Sequence, residues 1–174
     1  DEVMYTKRPV LRTDDQFEEN LDYLVAKRDN KIKAHVSIIR GCDKFCTYCV
    51  VPYTRGQEVS RPPESILEEC RRLVESGYRE ITLLGQNVNS YGKDKPEWGC
   101  LFHDLLYRID QIEGMGRIRF MTSHPVDITV ELMQAIRDLP SLCEFVHFPF
   151  QAGSSRILKK MHRIYTKEQY LEKV

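Results

Sequence analysis

Along most of this chain a short apolar run is followed by a polar loop and then by an apolar stripe at helical spacing. The first run, Lys33 to Ile39, alternates and then becomes apolar through Ala34, Val36, Ile38 and Ile39, which predicts a buried first strand. From Arg40 to Arg61 no period is sustained, and an irregular stretch of that length inside a compact domain is usually functional. Pro62-Pro63 opens a helix with Ile66, Leu67, Cys70, Leu73 and Val74 on one face, stopped at Gly77. Glu80 to Leu84 reads as the second strand. Leu101 to Ile112 reads as a helix with Leu101, Leu105, Ile109 and Ile112 on its apolar side, and Arg117 to Met121 as the third strand. Asp127 is placed to cap a helix built on Ile128, Leu132, Met133 and Ile136 and ended by Pro140. Glu144 to Phe150 predicts a fourth strand and Ser155 to Met161 a fourth helix, while Thr166 and Gln169 form a capping box for one more.

Strand, loop and helix in that order, four times over, specify an α/β fold with a parallel sheet, right-handed crossovers and helices on its outer face. The polar loops follow strand carboxyl ends, where such architectures place their sites. Residues 1–32 stand apart: they are charged, with one amphipathic segment from Asp15 to Arg28 carrying Phe17, Leu21 and Leu24. They read as a linker or peripheral helix from a preceding domain, leaving 33–174 as the core. Both ends read as cut, since the chain opens on Asp1 and stops at Val174 within a helical pattern.

Composition narrows the class. Apolar content is ordinary for a soluble globular chain, no apolar run has bilayer-spanning length, and no signal-peptide pattern opens the sequence, so a cytoplasmic protein is expected. Lys plus Arg and Asp plus Glu number 26 each, for a formal charge of zero. Phosphate neutralisation dominates nucleic-acid affinity, so RNA, if it is the substrate, must be held largely by other parts.

The strongest chemical signal is Gly41-Cys42-Asp43-Lys44-Phe45-Cys46-Thr47-Tyr48-Cys49. Closely spaced thiolates on a loop select zinc or iron–sulfur clusters over hard cations. A structural zinc site needs four protein ligands; no cysteine or histidine lies within twenty residues after Cys49, and His35 precedes the loop inside a predicted strand. A 4Fe-4S cluster on Cys42, Cys46 and Cys49 would leave one iron open. Cys70, Cys100 and Cys143 are scattered and read as structural.

Cys-x3-Cys-x2-Cys with Tyr48 before the third cysteine resembles the radical S-adenosylmethionine (SAM) signature. The flanks Arg40-Gly41-Cys42, Tyr48 to Gly56 and Leu84-Gly85-Gln86-Asn87-Val88-Asn89-Ser90-Tyr91-Gly92 are similar to the tRNA methylthiotransferase branch, a likeness that runs from about Lys33 to the last residue. It implies a partial (β/α) barrel of the radical SAM type, with four of an expected six β/α units present. It also implies a 4Fe-4S cluster on the three cysteines, SAM on the open iron, and a 5′-deoxyadenosyl radical formed with an electron from a donor such as a flavodoxin or ferredoxin. The implied product is a methylthio group at C2 of N6-isopentenyladenosine beside the tRNA anticodon. In that family an auxiliary cluster sits on an N-terminal domain and tRNA on a small C-terminal β domain, so this core is expected to bind a cluster without completing methylthiolation.

For SAM, the resemblance implies Tyr48 near the adenine and Gly85, Gln86 and Asn87 at the methionine ammonium, with amides where the wider superfamily usually offers an acid. Ser123 and Gln151 end strands three and four and are candidate contacts, as are His124 and Ser154, though turn capping accounts for each equally well. Arg163 is a candidate for SAM or RNA. Arg55, Arg61, Lys159, Lys160 and His162 suit either a phosphate-contacting rim or a solvated face, and Phe45 and Tyr53 suit loop packing. Three other readings stay open: a sibling methylthiotransferase acting on threonylcarbamoyladenosine tRNA or a ribosomal-protein aspartate, an iron–sulfur electron carrier, and a zinc-stabilised RNA-binding module.

Overall fold

The structure is a computed structural model and describes residues 32–174; the helix expected over 15–28 lies outside the described residues. Its frame is a parallel sheet in the order β1 (Lys33–Ser37), β4 (Glu80–Leu84), β5 (Arg117–Phe120). Val36 lies opposite Leu83, and Ile81 opposite both Ala34 and Ile118. β4 is central because its middle residues, Ile81, Thr82 and Leu83, are all buried. β1 departs from the expected buried strand: Ala34 and Val36 are buried while Lys33, His35 and Ser37 are exposed, so its alternation is real and one sheet face is polar. On that face Arg117 and Arg119 pair with Glu80.

The apolar face is covered in succession by α2 (Pro63–Glu75), α3 (Phe102–Asp110) and α4 (Val130–Asp138). α2 buries Ile66, Leu67, Cys70, Leu73 and Val74, the stripe its sequence shows. α3 and α4 are rotated relative to expectation. α3 buries Phe102, Leu105, Leu106 and Ile109 and leaves Leu101 exposed; Phe102 meets Phe120 edge to face at 5.2 Å. α4 buries Leu132 and Ala135 and exposes Met133, and its cap is Thr129, whose hydroxyl accepts from the Leu132 N–H. Asp127 is therefore not the cap; it sits in a preceding 3-10 turn and is buried.

The fourth strand does not form as a ladder. The chain joins the sheet edge through one parallel bridge, Ile118 to Leu142, with Ile118 N–H donating to Ser141 O and Cys143 N–H to Ile118 O. Glu144 to Phe150 continues without strand pairing into α5 (Ser155–Lys160) and α6 (Lys167–Leu171), the latter capped by Thr166 and Gln169 as expected. Among the described residues the segment makes no ladder with β5 beyond that bridge. The irregular stretch after β1 also holds order: β2 (Ile39–Arg40) pairs antiparallel with β3 (Val59–Ser60), and α1 (Val51–Arg55) lies between them. Among the described residues no helix is long and apolar enough to cross a membrane.

Candidate metal centre and ligand pocket

The cysteine loop leaves the carboxyl end of the first strand and is pinned at both sides. Cys42 N–H donates to Gly56 O at 3.2 Å, and Gly41 N–H to the Gln86 amide oxygen at 2.7 Å. Gly41 has φ +74°, and a Cβ there would lie 1.8 Å from Gln57 O, so backbone crosses where a side chain would stand. From the far side the turn after α5 reaches in. Thr47 N–H donates to Met161 O at 3.1 Å, the Thr47 hydroxyl to Lys160 O at 3.2 Å, and His162 Nδ1 meets Phe45 O at 3.0 Å. Phe45 and His162 both hold positive φ, 47° and 54°, a conformation that persists only where surroundings enforce it. The same is true of Thr122 and Gln151, in the loops after β5 and after the unpaired fourth segment.

Cys46 is buried, Cys42 and Cys49 half-buried, and all three are free thiols. Burial pushes the Cys42 thiol up, partly offset by the Lys44 N–H. Among the described residues no three His, Cys, Asp or Glu side chains gather as they would around a single metal ion. Three thiolates suffice for a four-iron cube with one open iron, whereas a structural zinc site takes four protein ligands, so the number of cysteines in this loop suits the cluster better than zinc. Cys70 is fully buried in α2 and its thiol is pushed by burial up to about 12, an inert packing residue as expected; Cys100 is buried just before α3.

The expected SAM contacts divide. Asn87, Ser123 and Arg163 are buried, and each keeps a buried polar atom without a partner, Asn87 Oδ1, Ser123 Oγ and Arg163 Nη2, as does His124 at Nε2. Unsatisfied buried polar atoms are costly and rare in a folded protein; Arg163 touches the cysteine loop at Cys46 and Asn87 reaches it through Asp127 and Lys44, so their open atoms fit a polar ligand held beside that loop. Gln86 is exposed, and its amide oxygen is committed to Gly41. A Cβ on Gly85 would lie 2.4 Å from Ile39 Cγ2, so that glycine serves packing against β2. Tyr48 is about half exposed with its hydroxyl 3.4 Å from Arg163 Nη1, and Gln151 is exposed on its turn. Arg61 is no phosphate rim: it donates to Glu69 at 2.6 Å and to the Ser65 hydroxyl at 2.9 Å. Arg55, Lys159 and Lys160 are exposed, and Phe45 and Tyr53 pack edge to face against each other at 6.0 Å.

Asp127 is the residue the sequence reading misplaces. Its carboxylate accepts from Lys44 Nζ in the cysteine loop, from Lys93 Nζ at 2.6 Å, and from Asn87 Nδ2 at 2.8 Å. Burial pushes its pKa up, but these donors outweigh it and hold the group down to about 2. Asn87 also donates from Nδ2 to Glu58 at 3.2 Å; two carboxylates on its nitrogen fix the amide orientation and leave Oδ1 as the free acceptor. His124 is held neutral, its pKa lowered to about 3 by burial and by Arg163. Its Nδ1 accepts from Val126 N–H at 3.3 Å, which leaves the proton on the unpartnered Nε2. An acidic residue just past a strand end, with a lysine inside the cysteine loop, is the sequence signal that could have found this network.

Three comparisons bear on this site. Residues 36–174 match the family model described as the radical SAM superfamily. The chain is 76% identical over 174 residues to the tRNA-2-methylthio-N(6)-dimethylallyladenosine synthase of Protochlamydia amoebophila (strain UWE25), covering 100% of this chain and 39% of that protein. It is 62% identical over 152 residues to the protein of the same name from Thermoanaerobacter pseudethanolicus (strain ATCC 33223 / 39E), covering 87% of this chain and 32% of that one. The chain thus spans 39% or less of the length of these curated relatives. Among solved structures, it superposes on the radical SAM methyltransferase TsrM from Kitasatospora setae with a TM-score of 0.59 at 15% identity, over 78% of this chain and 26% of that one. The cobalamin-dependent SAM radical enzyme OxsB gives 0.60 at 15% identity, over 79% and 21%. These two likenesses concern the fold alone. With a family match over residues 36–174, most of its length, the chain belongs to the radical SAM superfamily.

Proposed function

We propose that this chain is the cluster-binding core of a cytoplasmic tRNA methylthiotransferase whose target is C2 of N6-isopentenyladenosine next to the anticodon. Cys42, Cys46 and Cys49 hold a 4Fe-4S cluster with SAM on its open iron. When bound, these groups supply a one-electron cleavage of a carbon–sulfur bond in SAM, and with it a radical able to remove an unactivated hydrogen. Residues 33–174 form the radical SAM unit. A flavodoxin- or ferredoxin-type protein donates the electron, and domains outside this unit hold most of the tRNA, a division that the zero formal charge of the chain supports.

The observation that carries the reading is the set of unpartnered buried atoms beside the cysteine loop. Asn87 Oδ1 accepts from the SAM ammonium, with Asp127 and Glu58 fixing its amide from behind. Arg163 Nη2 and Ser123 Oγ donate to the carboxylate or ribose, while Tyr48 stacks on the adenine and Gln151 lies at the rim. Gln86 acts through Gly41, orienting the loop. The adenosine substrate rests on the names of the relatives.

The test uses the full-length protein, reconstituted anaerobically with iron and sulfide and examined by electron paramagnetic resonance. A 4Fe-4S signal that shifts on adding SAM and is lost in Cys46→Ala is expected; stoichiometric zinc without iron overturns the reading. Incubation with anticodon stem-loops carrying either isopentenyladenosine or threonylcarbamoyladenosine, followed by nucleoside mass spectrometry, is expected to show methylthiolation of the first alone.

A further inference from the structure

Resting on that cluster assignment, the geometry points to Arg163 as the residue that sets the cluster's reduction potential, by holding a permanent positive charge against the sulfur of Cys46. Arg163 is 7% exposed. Its Nη1 lies 3.3 Å from Cys46 Sγ and 3.4 Å from the Tyr48 hydroxyl, its Nε donates to the Tyr165 hydroxyl at 3.2 Å, and its guanidinium carbon sits 5.2 Å from the Tyr165 ring centre. Among the described residues no carboxylate forms a salt bridge with it.

A guanidinium cannot shed its proton to escape burial, and an uncompensated buried charge costs several kcal/mol. Two phenols and one ring face do not neutralise it; of the protein groups that touch it, the one that can carry a full negative charge near neutral pH is the Cys46 thiolate. The contact is also held in register. The main-chain bond from Thr47 N–H to Met161 O and the side-chain contact of His162 Nδ1 with Phe45 O flank it, so the two segments that carry Cys46 and Arg163 are tied on both sides of the contact.

A 4Fe-4S cluster in its 2+ state on three thiolates carries a net charge of about −1, and uptake of one electron from the donor makes it about −2 without any proton moving. A fixed cation at hydrogen-bond distance from a ligand sulfur stabilises the more negative state, because hydrogen bonds and charge near the sulfurs tune such potentials. Arg163 therefore makes the cluster easier to reduce.

The experiment is a redox titration of the reconstituted full-length protein, with dithionite as reductant and the reduced-cluster paramagnetic signal as readout, for wild type, Arg163→Lys and Arg163→Gln. The signal counts only molecules that hold a cluster, so partial loading does not distort the midpoint. The expected order is wild type highest, Arg163→Lys lower, and Arg163→Gln lowest. A midpoint for Arg163→Gln that coincides with wild type overturns the inference, as does an equal displacement in both variants, which would mark a structural role. If Arg163→Gln retains no cluster, Arg163→Met takes its place as the neutral variant: a midpoint below that of Arg163→Lys supports the inference, and one equal to Arg163→Lys or to wild type overturns it. A wild-type protein with no iron signal would instead overturn the cluster assignment, a result distinct from both.

Discussion

Gly41 and Gly56 share φ +74° but not surroundings, and this separates two costs of a side chain. At Gly56 nothing lies within 4 Å of where a methyl would stand, so Gly56→Ala carries only backbone strain, about 1–3 kcal/mol for a residue at φ 74° and ψ −164°. At Gly41 the methyl would meet Gln57 O at 1.8 Å, so Gly41→Ala should cost about 2–4 kcal/mol and reduce iron uptake as the cysteine loop shifts. Urea unfolding and iron content of the two variants check this. His124 gives a pH dependence. Its folded pKa is lowered from 6.5 to about 3, so from pH 6.5 down toward 3 the unfolded chain binds the extra proton and stability falls with pH. The slope is at most about 1.4 kcal/mol per pH unit, and urea midpoints measured from pH 7 to 4.5 should fall less steeply in His124→Asn. At this scale the sequence shows the spacing of Cys42, Cys46 and Cys49 and their place in one loop. It did not separate Asn87, whose acceptor is free, from Gln86, whose acceptor is taken by Gly41. Two adjacent amides look alike until their partners are placed.

Between elements, Asp127 joins three loops. Lys44 belongs to the cysteine loop, Asn87 and Lys93 to the loop after β4, and Asp127 itself to the turn after β5. Removing one partner from a buried ion pair leaves charge uncompensated, so Asp127→Ala should cost about 3–5 kcal/mol, more than Asp127→Asn, which keeps an acceptor for Lys44 or Lys93. With a folded pKa of about 2 against 3.8, the stability it contributes is present above pH 4 and lost as pH falls through 2, a window below that of His124. Thr129→Ala should cost about 1 kcal/mol, the loss of a helix cap. Acid unfolding and thermal melts distinguish the variants. The cap itself shows how the sequence misleads: Asp127 and Thr129 are both good caps two residues apart, and the choice fell to Thr129 because three donors claim the aspartate.

For the whole molecule, protection should follow the sheet. Hydrogen exchange is expected to be slowest in β4, which is paired on both sides, and fast from Glu144 to Phe150, where no strand ladder forms beyond the bridge at Leu142. Equal protection of the two segments would show that the fourth segment is a true strand in solution. The sequence by itself determined the strand–loop–helix order, the parallel sheet and the three-thiol loop, because these follow from residue periodicity and local spacing. It also determined the buried stripe of α2, since Ile66, Leu67, Cys70, Leu73 and Val74 allow one helical face and no other. Only the tertiary structure decided which face of β1 stays polar, how far α3 and α4 rotate, and that the turn at Lys160 to Arg163 closes on Phe45 to Tyr48. Those outcomes depend on contacts between residues far apart in the chain, and no local pattern carries the geometry that puts a buried guanidinium against the sulfur of Cys46.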